Sequence, residues 1–248
     1  MPEVAPAKSR SRVLIIEDHT LFAESLEVAL SLEGYDVRRL PLPEEGGSLA
    51  TLRSSALRIN PRIVLLDLDL GRFGDGAALI APLSRAGANV VVVTSSVDRA
   101  RWGGCVRSGA RKVLSKSGPL QDTLACVRRL HQGLPVMSAD ELEGLLRAWG
   151  ADAMENQDKR RRLETLTPRE RQVLSQLMDG HTVREIATAS VVSEATVRTQ
   201  VKSILGKLQV SSQLAAVGMA HHVGWQPATG QTSGNLPHMR HAGQGPDS

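Results

Sequence analysis

Residues 61–70, Pro61-Arg62-Ile63-Val64-Leu65-Leu66-Asp67-Leu68-Asp69-Leu70, decide the fold. Ile63 to Leu66 is an unbroken aliphatic run, short and rich in β-branched and branched side chains, and such a run reads as a strand buried on both faces of a parallel sheet. Three similar runs accompany it: Val13-Leu14-Ile15-Ile16, Val90-Val91-Val92-Val93 and Val113-Leu114. Each ends on polar residues able to do chemistry, namely Glu17-Asp18, Asp67, Thr94 and, shortly after the last run, Lys116. Ligands bind at the carboxyl ends of the strands in an open α/β sheet. Three acids, a hydroxyl and an ammonium on that rim provide oxygens for a hard cation, a carboxylate nucleophile and two groups to receive phosphoryl charge. Mg²⁺ is the expected cation on Glu17, Asp18 and Asp67, because crowded carboxylates need neutralising and Mg²⁺ favours oxygen ligands.

Working outward, helix patterns alternate with the strands. Phe22, Leu26, Ala29 and Leu30 recur at helical spacing before Gly34, and Asn60-Pro61 breaks the helix that precedes Ile63. A second strand falls near Tyr35 to Leu40, with further helices near Ala77 to Arg85, Arg99 to Arg107 and Leu120 to His131. Five βα units result, which predicts a doubly wound, flavodoxin-like five-stranded parallel sheet over residues 11–133. Residues 134–162 read as a linker with a short helix through Leu142, Leu145, Leu146 and Trp149, followed by the polar run Glu155 to Arg162. Four helix patterns without strands occupy 163–224, a small all-α domain. Residues 1–10 and 225–248 read as disordered tails.

A chain of 248 residues suffices for two modest domains, and aromatics at 2% leave the cores to aliphatic packing. Its formal net charge is +4, but between Lys159 and Lys207 ten basic residues face five acidic ones, so the excess sits in the second domain and points to a polyanion. Cys105 and Cys126 lack metal-ligand spacing and read as buried small hydrophobes in a reducing compartment. No apolar run approaches the roughly 18 residues of a membrane span, and the expected location is the cytoplasm.

Taken singly, each rim residue has an ordinary explanation, an acid capping a helix or a solvated lysine. Five in order, with the second strand skipped, resemble a response-regulator receiver domain. The resemblance implies that Asp67 is the phosphorylated aspartate, Glu17 and Asp18 the acid pair for Mg²⁺, Thr94 the switch hydroxyl and Lys116 the phosphate-pairing lysine. It also implies a sensor histidine kinase as phosphodonor. Two departures stand out: Val113 occupies the position of a customary aromatic, and Gly71 that of a customary proline. Asp69 is placed to orient or repel hydrolytic water. The run Val64 to Leu70 is also similar to the nucleophile motif of haloacid-dehalogenase-type phosphatases, with Asp69 as general acid. That reading fails to explain why Glu17-Asp18 precede the motif, or why no acid pair follows Lys116 on a further strand to hold the metal.

In the second domain Thr167-Pro168-Arg169-Glu170 places an acceptor at N-cap, proline at N1 and glutamate at N3. Thr182 to Glu185 repeats the box, and Ser193 caps a third helix. There Val197, Val201, Ile204 and Leu208 form a core stripe, leaving Arg198, Thr199 and Lys202 outward, a spacing suited to guanine edges and phosphates in the major groove. With Arg184-Glu185-Ile186-Ala187 and Ile204-Leu205-Gly206-Lys207-Leu208, these segments resemble the LuxR-type helix-turn-helix of NarL/FixJ response regulators. That implies a DNA-binding transcription regulator, not an enzyme, pairing as a homodimer on double-stranded DNA. Arg198, Thr199 and Lys202 match base-facing positions, and Thr182 and Lys207 phosphate contacts. Gln200 stands where histidine is common. An orphan regulator that binds DNA without phosphorylation is the alternative within the class.

Overall fold

The computed structural model describes residues 11–43 and 46–226. The expected tails therefore lie outside it, apart from Trp225 and Gln226. The chain divides into two compact units, one ending at Met154 and the other beginning at Glu155.

The first unit runs β1 (Arg12–Ile16), α1 (Thr20–Leu32), β2 (Asp36–Arg39), α2 (Leu49–Ile59), β3 (Ile63–Leu66), a 3-10 turn (Gly71–Phe73), α3 (Ala77–Arg85), β4 (Asn89–Thr94), α4 (Arg99–Arg107), β5 (Ala110–Ser115) and α5 (Leu120–His131). The strands form one parallel sheet in the order β2-β1-β3-β4-β5. Alternating side chains of the central strands supply two cores. Leu14, Ile16, Val64, Leu66, Val90 and Val92 pack with α2, α3 and Cys105 of α4. Val13, Ile15, Ile63, Leu65, Val91 and Val93 pack with α1 and α5, including Cys126. Burial on both faces explains why these strands are aliphatic runs instead of alternating ones. Strand order reverses between β1 and β3, the topological switch point where such sheets bind ligands. The edge strand β2 lies outside that crevice, which accounts for the strand that carries no site residue.

Where the sequence predicts a short helix and then a polar linker, the structure has one 26-residue helix, α6 (Ala139–Glu164). Gly144 and Gly150 do not interrupt it. Its polar half is supported by Lys159–Glu155 and Arg162–Asp158 pairs at (i, i+4) and by Arg161–Asp158. At its start Leu145 is buried in the first unit, and Lys112 of β5 pairs with Glu141 at 2.6 Å.

The second unit continues with α7 (Pro168–Met178), α8 (Val183–Ala189), α9 (Glu194–Leu208) and α10 (Gln213–His222). Both predicted capping boxes form, at Thr167/Glu170 and Thr182/Glu185, and Ser193 accepts from the Thr196 N–H. Leu163, Leu166, Val173, Leu174, Ile186, Val197, Val201, Ile204 and Leu208 build the core with Ala216 and Ala220. Trp225 packs against it, so the chain remains ordered past the predicted start of the tail. Arg160 and Arg162, which lie in the run read as a polar linker, donate to the carbonyls of Val223 and Leu208, where α10 and α9 end. Cations there complement the negative ends of the two helix dipoles.

Candidate functional site

All five rim residues predicted from sequence meet at the carboxyl edge of the sheet. Glu17 and Asp18 follow β1 directly, Asp67 follows β3, Thr94 closes β4 and Lys116 follows β5. Backbone bonds fix their levels: the Asp67 N–H donates to Ile16 O at 2.9 Å, and the Lys116 N–H to Thr94 O at 2.9 Å. The Lys116 ammonium lies 2.7 Å from Glu17 Oε1 and 2.7 Å from Asp67 Oδ2, bridging two buried carboxylates. Burial alone would lower the Lys116 pKa, but the two acids outweigh it and hold the ammonium above its ordinary value. Glu17 moves the other way: burial raises its pKa, against the bonds from Lys116 and the His19 N–H. Asp67 itself is 3% exposed, and the Thr94 hydroxyl accepts the Ser96 N–H at 3.1 Å.

The donor set suits a hard divalent cation. Carboxylate oxygens of Glu17, Asp18 and Asp67 lie within 4.8 Å of one another and of a His19 ring nitrogen, and the excess negative charge is only partly offset by Lys116. His19 was not among the residues singled out from sequence. Its place next to the acid pair was the available signal. Gly76 was also missed. A Cβ there would stand 2.1 Å from the Asp67 carbonyl oxygen, so only glycine lets α3 start beneath the Asp67 loop. Nothing local in the sequence announces that approach.

The outward face of α9 carries the predicted DNA-facing residues. Lys202 is exposed and makes no hydrogen bond or ion pair among the described residues. Arg198 is exposed and pairs with Glu194 at 3.0 Å, and the Thr199 hydroxyl donates to Ala195 O. Gln200 turns toward the module, its Oε1 buried without a partner, as is that of Gln176. The other two candidates have structural tasks. The Thr182 hydroxyl accepts the Glu185 N–H and donates to its carboxylate. Lys207 pairs with Glu170 Oε2 at 2.7 Å. Glu170 is 6% exposed and also accepts from the Ser203 hydroxyl and the Thr167 N–H. Burial would raise its carboxyl, yet Lys207, Ser203 and Thr167 together pull it down to about 2.

A rim of this kind and a helix-turn-helix in one chain define a class of phosphorylation-linked DNA-binding regulators, and comparison with known proteins agrees. Residues 13–128 match the response regulator receiver domain, and residues 164–220 match the bacterial regulatory proteins of the luxR family. The transcriptional regulatory protein LiaR of Bacillus subtilis is 26% identical over 215 residues, 85% of this chain and 96% of LiaR. The nitrate/nitrite response regulator protein NarP of Escherichia coli is 28% identical over 219 residues, 87% of this chain and 95% of NarP. Among solved structures, RcsB from Salmonella enterica serovar Typhimurium bound to promoter rprA in the presence of phosphomimetic BeF3− is 21% identical, with 85% of this chain and 98% of that one covered and a TM-score of 0.45. The chain belongs to the two-component response regulators that join a receiver domain to a LuxR-type DNA-binding domain. No helix among the described residues is long and apolar enough to cross a membrane.

Proposed function

We propose that a histidine kinase phosphorylates Asp67 in the receiver, residues 11–133, and that this controls binding of the helix-turn-helix, residues 163–224, to a two-fold DNA site as a homodimer in the cytoplasm. The observation that carries this reading is the Lys116 ammonium, held 2.7 Å from both Glu17 and Asp67 where a phosphoryl group on Asp67 would carry its charge. An Asp67 oxygen attacks the phosphorus of the donor phosphohistidine. A P–O bond forms as the P–N bond breaks, the departing imidazole takes up a proton, and an acyl phosphate remains. Glu17, Asp18 and Asp67 would hold Mg²⁺, which when bound neutralises charge on the transferring group. Lys116 then exchanges a carboxylate partner for a phosphoryl oxygen, and the Thr94 hydroxyl turns to donate to another. The ion is a partner of the acids and the chain is a switch, not an enzyme.

On the DNA side Arg198, Thr199 and Lys202 form the base-facing set, and Lys202 is the cation with no partner to give up. Phosphate contacts from Thr182 and Lys207 draw less support, because both side chains already serve the module's own acids. The test is incubation with acetyl phosphate and Mg²⁺, followed by intact mass and DNA binding for wild type and Asp67→Asn. A phosphate-sized gain and tighter DNA binding confined to wild type are expected. No gain, with equal DNA binding by both proteins, would favour an orphan regulator.

A further inference from the structure

The loop after Thr94 is tied to α4 by a tryptophan. The Thr94 hydroxyl accepts the Ser96 N–H, and the Ser96 carbonyl accepts the Trp102 indole N–H at 2.9 Å. Ser96 Oγ accepts the N–H of Asp98, and Asp98 caps α4 through the N–H groups of Ala100 and Arg101. Trp102 packs against the core on the α2–α4 side of the sheet, where Val113 of β5 is buried and aliphatic. The aromatic ring next to the hydroxyl's loop therefore comes from α4, not from β5.

The next residue along α4 removes the slack on the far side. A Cβ on Gly103 would fall 2.1 Å from the Leu145 carbonyl oxygen and 2.7 Å from Trp149 Cβ, so the α4 backbone lies directly on α6. Gly104 faces the Trp149 ring, and the Arg107 guanidinium sits 4.3 Å over that ring's centre. The Lys112–Glu141 pair adds a second attachment one turn upstream of Leu145. Contacts this close repack in discrete steps and do not slide.

We propose that Trp102 is the positioning residue that reads the state of Thr94, and that the Gly103–Leu145 contact passes its displacement to α6 as a unit. The inference rests on the reading of Asp67 as phosphoacceptor. When the Thr94 hydroxyl turns toward a phosphoryl oxygen, the Ser96 peptide it anchors is released. The indole bond carries that movement into α4, and the absence of a side chain at Gly103 leaves α6 nothing to yield against. Because α6 continues to Glu164, the displacement starts in a helix shared with the DNA-binding unit.

The full chain labelled with 5-fluorotryptophan gives one fluorine signal each for Trp102, Trp149 and Trp225, assigned by single Trp→Phe variants. Acetyl phosphate with Mg²⁺ is added, and intact mass is followed in parallel. The expected result is a phosphate-dependent shift of both the Trp102 and Trp149 signals. In Trp102→Phe, which keeps a ring and loses the N–H, the phosphate gain persists and the Trp149 shift is lost. In Gly103→Ala the Trp102 shift persists while the Trp149 shift is lost. A purely structural Trp102 would leave the Trp149 response intact in Trp102→Phe. That outcome, or a phosphorylated wild type with either signal unmoved, overturns the inference and leaves Asp67 standing. No phosphate gain in wild type overturns both.

Discussion

Replacing Glu170 by glutamine removes one charge from a buried network and nearly nothing from its shape. With its oxygen in the place of Oε2 the substituted amide still accepts from the Thr167 N–H, and its NH2 can donate to the Ser203 hydroxyl, so the main loss is the ion pair with Lys207. The folded carboxyl titrates at about 2 and the unfolded one near 4.5, a gap that contributes about 3 kcal/mol at pH 7. Removing one partner of a buried pair costs about 3–5 kcal/mol, which agrees. A depressed folded pKa stabilises above the unfolded value and loses its contribution as pH falls through the folded one. The Glu170 contribution should therefore be whole at pH 7, fall to about 1.4 kcal/mol at pH 3 and vanish below about 2. Amide hydrogen exchange at Val173, Leu174, Val201 and Ile204, all in the core of this unit, reports its opening free energy apart from the receiver. Wild type and Glu170→Gln should differ by about 3 kcal/mol at neutral pH, with the difference shrinking below about pH 5 to about 1.4 kcal/mol at pH 3. A difference under about 1 kcal/mol, or one that does not change with pH, would refute the assignment of this stabilisation to the Glu170 charge.

Lys116→Met leaves Glu17 and Asp67 facing each other without a cation; thermal unfolding should show a loss of about 3 kcal/mol without divalent ions and a smaller one with Mg²⁺. An equal loss in both buffers would contradict the charge argument. Val191, a β-branched residue at φ 53° and 91% exposed, holds the turn before α9, so Val191→Asn should stabilise the second unit by about 1 kcal/mol in a denaturant melt. Destabilisation there would mean that the valine side chain makes a contact worth more than its backbone strain. Gly76→Ala should displace the Asp67 carbonyl, destabilise the receiver by about 2 kcal/mol or more and abolish labelling by acetyl phosphate. Retained labelling would show that the loop can yield. Lys202→Ala should weaken DNA binding and reduce the salt slope by about 1, and an unchanged slope would remove Lys202 from the interface.

The receiver site was legible because its members stand at or just past strand ends, and double-sided burial makes three of those strands, β1, β3 and β4, conspicuous. Ile63 to Leu66 and Val90 to Val93 announce their strands, and Asp67 and Thr94 need only be the residues where the runs stop. The helix caps were legible for a similar reason: Thr167 and Thr182 bond to groups three residues away. What sequence hid depends on contacts across long separations. Continuity of α6 rests on charge pairs within a run that composition marks as polar and on a close approach to Gly103, which lies far earlier in the chain. Lys207 and Lys202 look alike on a helix face, and only the fold shows that one neutralises a buried acid while the other is free.

The bonds from Arg160 and Arg162 to the carbonyls of Val223 and Leu208 bear on how separable the DNA-reading part is. Similarity to the luxR family begins at residue 164, yet the guanidinium groups that finish α9 and α10 lie upstream of that border. A graft of this module onto a foreign receiver, cut where the family resemblance starts, would leave two helix ends open. A transplantable piece that keeps both guanidinium groups starts at Glu155, the first residue of the second unit, part-way along α6.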